Sequence, residues 1–305
     1  MTPFHEPVFL KESIDFLVTD LSGTYVDATF GGGGHSREIL SRVNSNGRVV
    51  AFDVDDNARP GAEELASSDK RLSFILENFR DSKEVLETMN IASTSGFIFD
   101  LGVSSYQIDK ESGFSYKRAE RLDMRLDKKL KVSAHEIVNT YPVEKLTEMF
   151  SKYGEEPHSR GLANEIVKTR DRRKIETTLQ LAEVVAKVCG KSSKTLSRIF
   201  QALRIAVNDE LGSLARGLDA AMDLTNHGGR IVAISYHSLE DRIVKEKFKY
   251  EAATCVCPPQ TIICTCGKVA RARILTRKPV LPGSDEVLRN RRARSAKMRV
   301  AERIR

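Results

Sequence analysis

The amino-acid sequence predicts an α/β fold in which a doubly wound parallel sheet is interrupted by an inserted all-helical domain. Up to Leu101, short apolar runs alternate with segments of helical periodicity, a pattern typical of a parallel sheet covered by helices. From about residue 133 to residue 224 the periodicity is helical only, and a strand pattern returns after Gly229. We therefore predict three segments: the first part of the core (1–109), the helical insertion (110–200) and the second part of the core with a basic C-terminus (201–305).

Strands and helices alternate in the first part of the core. Apolar residues at helical spacing, from Val8 to Leu17, predict the first helix. Pro60 is compatible with a helix because proline fits the first helical turn. The predicted helices cover 7–18, 35–43, 58–65 and 82–89, and the predicted strands cover 24–30, 48–52, 72–76 and 96–101.

Helical periodicity alone characterises the insertion and the residues after it, up to Leu224. The predicted helices cover 134–139, 143–153, 159–170, 178–188 and, as one long element, 196–224. Beyond them we predict a strand at 230–236, a helix at 239–250, a strand at 274–281 and a basic final segment. The returning strand implies that the sheet is completed only after the insertion.

The composition excludes several classes of protein. Hydrophobic residues make up 40% and charged residues 30% of the 305-residue chain, which is typical of a globular protein. The uncharged run 252–267 contains two prolines and several polar residues, so it cannot span a membrane. Glu6, Glu12, Asp15 and Asp20 stand near the start without an apolar block, which rules out a signal peptide. We expect a cytoplasmic protein with no membrane partner, and the sequence leaves its oligomeric state open.

The net charge of +7 is concentrated in two places. Residues 285–305 contain eight lysines and arginines against three acids, and a second basic run covers 168–174. Local positive fields raise the affinity for phosphate backbones through counterion release. The two clusters together favour RNA or DNA as a partner, and solvated basic surface elements are the alternative.

Four of the five cysteines lie in one stretch, at Cys255, Cys257, Cys264 and Cys266. In a reducing compartment, clustered thiols suggest a metal before they suggest disulfides, and four thiolates suit a tetrahedral Zn²⁺. The spacing is C-x-C rather than the more usual C-x2-C. The alternative is a proline-bearing hairpin that uses cysteine as a small apolar residue. Cys189 stands alone on an apolar helical face, and we expect it in the core.

A glycine turn, Gly31–Gly34, follows the first predicted strand and precedes a helix that starts at His35. This order of strand, glycine turn and helix can hold a nucleotide-like ligand at the helix N-terminus. Glycine allows positive φ and close approach of the backbone. Asp53 ends the next strand, where a carboxylate can accept hydrogen bonds from ribose hydroxyls.

Three interpretations of the glycine turn compete. The dinucleotide fingerprint needs a third glycine, and Ser36 stands in its place. The pattern D-x-T-x-G-x-G, which begins at Asp27, looks like the first motif of Rossmann-like methyltransferases. Their cofactor, S-adenosylmethionine (SAM), has no pyrophosphate and meets acids through its ribose and ammonium groups. The pattern favours SAM over a dinucleotide, and a merely flexible turn is the remaining alternative.

Polar residues end two further predicted strands. Asp100 ends the fourth, at the edge of an open sheet where ligands lie, and its carboxylate could hydrogen-bond an amine that becomes tetrahedral during methylation. Tyr236 and His237 end the strand after the insertion and could stack on and hydrogen-bond a flipped-out base. In the alternative interpretation, Asp100 caps the next turn and His237 leads into a helix with Ser238 as its N-cap.

Beyond these motifs, the sequence resembles the bacterial small-subunit (16S) rRNA cytosine-N4 methyltransferase family, also called the MraW family, over nearly the whole chain. The segments that carry the resemblance are His5–Val8, Asp27–Ser36, Asp100–Gln107, Gly113–Tyr116, Leu122–Arg125, Phe200–Leu211, Ser235–Lys245 and Arg292–Lys297. The chain departs from the family at Glu120-Arg121, where Gly-Pro is usual and helps to shape a loop, and at Asn290-Arg291, where Asn-Pro is usual. The four-cysteine stretch occurs in some members only, which argues against a catalytic role.

The resemblance implies a Rossmann-like SAM-dependent methyltransferase core with an inserted all-helical domain. It implies methylation of the N4 amine of a cytosine in the decoding region of 16S rRNA, with the small ribosomal subunit as partner. The residues that it assigns to SAM are Gly33, Gly34, His35, Asp53, Phe79, Asp100 and Gln107. Of these, Phe79 beside the adenine and Gln107 rest on the resemblance alone.

Our hypothesis is that the insertion and the basic C-terminus hold the rRNA while Asp100, Tyr236 and His237 address the cytosine. Two rival functions remain. A DNA amino-methyltransferase would need a double-proline motif after Asp100, which this chain lacks. A non-catalytic RNA-binding module would keep the fold and would not bind SAM.

Overall fold

The computed structural model describes residues 7–102, 113–261 and 263–305. Within these residues the strands are β1 (Thr24–Asp27), β2 (Arg48–Phe52), β3 (Leu72–Ile75), β4 (Thr94–Asp100), β5 (Thr225–Ser235), β6 (Ala272–Ile274) and β7 (Lys297–Arg303). The helices are α1 (Leu10–Leu17), α2 (Gly34–Arg42), α3 (Arg59–Ser68), α4 (Ser82–Thr88), α5 (Ala134–Thr140), α6 (Val143–Gly154), α7 (Ser159–Arg170), α8 (Thr178–Cys189), α9 (Ser193–Asn208), α10 (Glu210–Leu224), α11 (Ser238–Ala252) and α12 (Ser284–Arg289). None of these helices has the length and apolar character needed to cross a bilayer.

The chain forms two compact units. The sheet unit combines Met1–Gly102 with Leu211–Arg305, and the helical unit consists of Val103–Glu210. The predicted boundary at residue 109 lies outside the described residues. The predicted boundary at residue 200 falls inside α9, and the structure keeps all of α9 in the helical unit because side chains such as Leu203 are buried in that unit's core.

A seven-stranded sheet lies at the centre of the sheet unit, with the order β3-β2-β1-β4-β5-β7-β6 among the described residues. Strands β1 to β5 pair in parallel, whereas β7 runs antiparallel to both β5 and β6. Asp27 of β1 lies opposite Ile98 of β4, and Asp100 of β4 lies opposite Ile234 of β5. The strand order reverses between β1 and β4, which is where doubly wound sheets bind ligands.

Both faces of the sheet are buried. In β4, Ile98 joins an apolar cluster with α1, α2 and α3, whereas Phe97 and Phe99 join a second cluster with α4, α10 and α11. A strand that buries both faces reads as a continuous apolar run, which is why these strands are visible in the sequence. The predicted α/β class is confirmed.

The helical unit has a core of its own. Its helices α5 to α9 contribute, in order, Ile137, Phe150, Leu162, Val184 and Leu203, all buried. Helices α5 and α8 begin with capping boxes in which a hydroxyl and a carboxyl or amide side chain satisfy the exposed N–H groups of the first turn. The described residues of the insertion confirm its predicted helical character.

The prediction of one long helix over 196–224 is wrong. The chain forms α9 and α10 instead, because Asp209 between them adopts a left-handed φ of 48°. The Asn208 side chain donates to the carbonyl of Met124 and accepts from the N–H of Leu126. These tertiary hydrogen bonds hold the chain at the break.

The prediction of a strand over 274–281 is also wrong in extent, and β7 was not expected. Strand β6 ends at Ile274, and Val280 makes an isolated bridge to Met298. Strand β7 contains several charged residues, so its sequence lacks the continuous apolar run that predicts a buried strand. Arg299 is 8% exposed because its guanidinium lies on the Asp241 carboxylate at 2.6 Å.

Candidate active site

The turn between β1 and α2 uses glycine where the backbone is left-handed. Gly31 has a φ of 52° and Gly33 a φ of 74°. A Cβ on Gly33 would also lie 2.5 Å from the Phe30 ring. Gly33 is the N-cap of α2, and no side chain among the described residues caps this helix. The N–H groups of its first turn, from Gly34 onward, are therefore available to an anionic group.

Asp27 stabilises the turn between β1 and α2 through hydrogen bonds from two residues that follow it in the chain. Its side chain is fully buried, and its carboxylate accepts a 2.6 Å hydrogen bond from the Ser36 hydroxyl and a 3.1 Å bond from the Thr29 N–H. Burial raises the pKa of Asp27. Ser36 stands where a dinucleotide fold has its third glycine, and its bond to Asp27 gives that serine a structural role.

Asp53 connects the end of β2 to the glycine turn. Its Oδ2 accepts a 2.7 Å hydrogen bond from the Gly31 N–H, and its Oδ1 accepts a 2.9 Å bond from the Asp55 N–H. Burial raises the pKa of Asp53 to about 6. Each carboxylate oxygen has a second lone pair. Asp53 can therefore fix the turn and still accept hydrogen bonds from a ligand's hydroxyls.

Asp100 and Tyr236 meet at the ends of the adjacent strands β4 and β5. The Tyr236 hydroxyl donates a 2.7 Å hydrogen bond to Asp100 Oδ1, and the Asp100 N–H donates a 2.8 Å bond to the Thr29 hydroxyl. Burial, together with the charge of Asp100, raises the pKa of Tyr236 well above its ordinary value. Tyr236 is therefore a neutral donor that orients the Asp100 carboxylate.

His35 lies beside the same carboxylate. Its Nδ1 is 3.8 Å from Asp100 Oδ2, and the ring is almost fully buried. Burial lowers the pKa of His35, although the charge of Asp27 opposes the shift. Its Nε2 is buried and has no hydrogen-bond partner among the described residues. A buried nitrogen in that state is a candidate contact for a ligand.

His237 lies at the start of α11 and is its N-cap, so the alternative that placed the cap at Ser238 is corrected. Its Nδ1 accepts a 3.4 Å hydrogen bond from the Glu240 N–H, and the Glu240 carboxylate accepts the N–H groups of Tyr236 and His237. His237 Nε2 lies 3.1 Å from the same carboxylate. The structure thus brings Tyr236, and not His237, onto Asp100.

Phe79 lies half-buried after β3. Its ring packs edge-on against Phe99 at 5.5 Å between centroids and lies directly over Gly217 of α10. A Cβ on Gly217 would come within 2.6 Å of the Phe79 ring. The Phe79 ring can therefore occupy this place only because residue 217 is a glycine.

The described residues fit SAM. The uncapped first turn of α2 suits the carboxylate of its methionine part, and Asp53 has lone pairs for its ribose hydroxyls. The buried Nε2 of His35 has no hydrogen-bond partner in the described part of the chain, so a ligand could supply one. A pyrophosphate is less suited to this site, because Asp53 places a carboxylate directly on the turn at Gly31.

Sequence reasoning found some of these residues and missed others. Gln107, together with the family motif residues 103–106 and His5, lies outside the described residues. Two roles were missed. The Thr29 hydroxyl accepts a hydrogen bond from the Asp100 N–H, and Glu240 completes the capping box at the start of α11. The spacing of three residues between His237 and Glu240 is the signal that could have identified the capping box.

The sheet order, with β7 inserted antiparallel beside β5, and a glycine turn at the switch point define the Rossmann-like fold of SAM-dependent methyltransferases. The model of the MraW methylase family matches residues 2–304, and the chain belongs to this family.

Relatives match over almost the whole chain. The protein is similar to the ribosomal RNA small subunit methyltransferase H of Thermomicrobium roseum, with 48% identity over 98% of this chain and 94% of the relative. It is 45% identical to the protein of the same name from Caldicellulosiruptor saccharolyticus, over 98% of this chain and 99% of the relative. Among solved structures, an rRNA methylase from Streptococcus thermophilus aligns over 97% of this chain and 94% of its own, with 11% identity and a TM-score of 0.42.

Proposed function

We propose that this protein is a SAM-dependent methyltransferase that acts in the cytoplasm on the N4 amine of a cytosine in the decoding region of 16S rRNA. Membership of the MraW methylase family and the names of the relatives support rRNA of the small subunit as the substrate. The observation that carries the chemical part is the hydrogen bond from Tyr236 to Asp100, beside the glycine turn.

The described cofactor residues belong to the sheet unit, where they lie at the start of α2, just after β2 and β3, and at the end of β4. In this proposal, the N–H groups at Gly34 and His35 bind the carboxylate of the methionine part, and Asp53 accepts the ribose hydroxyls. By the family resemblance, Phe79 would contact the adenine; the resemblance also assigns Gln107 to SAM, and that residue lies outside the described part of the chain. Bound SAM supplies an electrophilic methyl group.

Asp100 acts on the acceptor amine. The lone pair of a cytosine N4 amine is delocalised into the ring, so the nitrogen is a weak nucleophile until it becomes tetrahedral. An acceptor that hydrogen-bonds an N4 hydrogen favours that geometry and stabilises the transition state more than the ground state. Tyr236 occupies Oδ1 of Asp100, which fixes the orientation of the carboxylate towards the amine. His237 serves as a positioning residue, because it caps the helix that follows Tyr236.

Basic side chains on each unit are proposed to bind rRNA phosphates. On the helical unit, a cleft of about 210 Å³ is lined by Lys168, Arg172, Arg173 and Lys187, together with Glu165 and Thr169. On the sheet unit, Arg289, Arg291 and Arg294 are exposed. Arg299, by contrast, is buried and forms an ion pair with Asp241. Exposed lysines and arginines gain phosphate affinity through counterion release.

The test is methyl transfer from labelled SAM to small ribosomal subunits, followed by mass mapping of the 16S rRNA. We expect one added methyl group on a single cytosine, and rRNA from cells without the gene should lack it at that position. Labelling of duplex DNA instead would favour a DNA amino-methyltransferase. No heat of SAM binding by calorimetry would favour a non-catalytic RNA-binding module.

A further inference from the structure

The described residues of the segment 253–271, between α11 and β6, form no apolar core. The segment contains neither helix nor strand among its described residues, and none of those residues is buried. Long connections without secondary structure are uncommon inside compact units. Its end is tied to α11, since the Arg271 N–H donates a 2.7 Å hydrogen bond to the Glu251 carbonyl. Neither apolar packing nor regular secondary structure fixes the described residues in the middle of the segment.

The four clustered cysteines converge in that middle. Their Sγ atoms all lie within 4.8 Å of one another. The Sγ of Cys264 lies 3.4 Å from that of Cys255, 3.5 Å from that of Cys266 and 3.9 Å from that of Cys257. Four sulfurs that surround one Zn²⁺ at about 2.3 Å stand about 3.8 Å apart along the edges of a tetrahedron. The observed spacing matches one small tetrahedral ion.

The alternatives to a metal do not account for this arrangement. All four thiols are free, and a disulfide would bring two sulfurs to about 2.05 Å. Cys255, Cys264 and Cys266 are exposed, so they are not acting as small apolar core residues. The exposure of these three cysteines therefore argues against the alternative of a hairpin that uses cysteine for apolar packing.

Backbone N–H groups point at the sulfurs. The Val256 N–H donates to Cys266 Sγ at 3.4 Å, and the Cys257 N–H donates to Cys255 Sγ at 3.4 Å. Hydrogen bonds of this kind stabilise the negative charge of metal-bound thiolates and orient them. Nearby, the Lys268 ammonium lies 4.5 Å from the centre of the Tyr250 ring, which anchors the end of the loop to α11.

We propose that Cys255, Cys257, Cys264 and Cys266 bind one Zn²⁺ in a closed structural site. Four protein thiolates leave no open position for a substrate or water, so the ion does not take part in chemistry. In the chain, the cysteines are separated from Tyr236 by helix α11, whose 15 residues have a length of about 22 Å. The ion fixes the conformation of the loop, and the inference does not depend on the proposed function.

The experiment measures metal in the full-length protein after purification under reducing conditions. We expect about one zinc per chain by elemental analysis, and about one Zn²⁺ released when all thiols are titrated with a mercurial. Cys264→Ser should lower the bound zinc at least about tenfold. Cys189→Ser is the control, because Cys189 packs against the core of the helical unit, and it should keep the full zinc content.

A second measurement covers the case in which the cysteine variant fails to fold. The wild-type chain, stripped of metal and loaded with Co²⁺, should show the ligand-field bands of a tetrahedral tetrathiolate ion, and protease cleavage within 253–271 should increase on stripping. Zinc content below about a tenth of an ion per chain with four reactive thiols would overturn the proposal. So would iron in place of zinc, or disulfides among these four cysteines.

Discussion

The Tyr236 hydroxyl donates a 2.7 Å hydrogen bond to Asp100 Oδ1, across the ends of two adjacent parallel strands. Residues 136 positions apart in the chain thereby form one unit. Because burial keeps Tyr236 protonated, the bond persists throughout the physiological pH range. The pair gives the proposed reaction a carboxylate of fixed orientation.

Loss of the Tyr236 hydroxyl should affect turnover more than cofactor binding. For Tyr236→Phe we expect kcat to fall about 10-fold to 100-fold, and for Asp100→Ala about 100-fold to 10,000-fold, because a group that acts on the transition state is lost. Calorimetry should give SAM dissociation constants within about threefold of wild type. Tyr250→Phe, at an exposed tyrosine, is the control. Equal losses of turnover and SAM affinity would reduce Asp100 to a cofactor ligand.

SAM affinity should depend on the ionisation of Asp53. Burial raises the pKa of this carboxyl to about 6, so it becomes protonated as the pH falls below that value. A protonated carboxyl has fewer free lone pairs for ribose hydroxyls, so the dissociation constant of SAM should rise as the pH falls from about 7 to about 5. Calorimetry across this range measures the effect. The Asp53→Asn variant should bind SAM weakly at every pH. If its SAM affinity instead showed the same pH dependence as that of the wild type, Asp53 would not be part of the SAM site.

The position of the Phe79 ring should depend on Gly217. Gly217→Ala places a methyl group 2.6 Å from the ring, so we expect a loss of about 1–3 kcal/mol in the free energy of unfolding and weaker SAM binding. Gly61→Ala is the matched control, because it is also a helical glycine and nothing lies within 4 Å of the added methyl. Helix propensity predicts that the control gains up to about 1 kcal/mol. Denaturant unfolding and SAM titration measure both variants, and identical behaviour would contradict the proposed contact.

His237 should act through the cap of α11. His237→Ala should lose about 1 kcal/mol in the free energy of unfolding and should lower turnover, whereas His237→Asn should restore both, because asparagine caps helices well. Thermal unfolding and single-turnover kinetics separate the two effects. If asparagine restored stability and left turnover low, the imidazole itself would contact the cytosine.

The basic cleft of the helical unit should contribute to rRNA affinity. For the double variant Arg172→Ala, Arg173→Ala we expect weaker binding to small ribosomal subunits and a salt dependence that is shallower by about 1–2 in the slope of log K against log salt. Arg48→Ala removes an exposed arginine outside both basic clusters and is the control. Filter binding at several salt concentrations measures the slopes. Equal slopes in the variants and wild type would exclude the cleft from phosphate contact.

The sequence by itself determined the strands of the parallel sheet and the glycine turn. Strands buried on both faces, such as β2, are continuous apolar runs, and β2 has the predicted bounds. Gly31 and Gly33 occupy left-handed positions that other residues avoid, so their role was also local. Asp53 and Asp100 followed from their places at strand ends, because parallel strands direct their carboxyl ends to one edge.

Only the tertiary structure decided which polar groups meet. The break at Asp209 and the bond between Tyr236 and Asp100 depend on partners that are distant in the chain. The same holds for β7, in which Lys297 and Arg299 pair with Asp241 of α11. The capping role of His237 depends on competition between neighbouring residues for the N-cap position. Local periodicity reports how a segment buries its own apolar side chains, whereas a hydrogen bond or ion pair is specified only when the packed backbone brings both partners together.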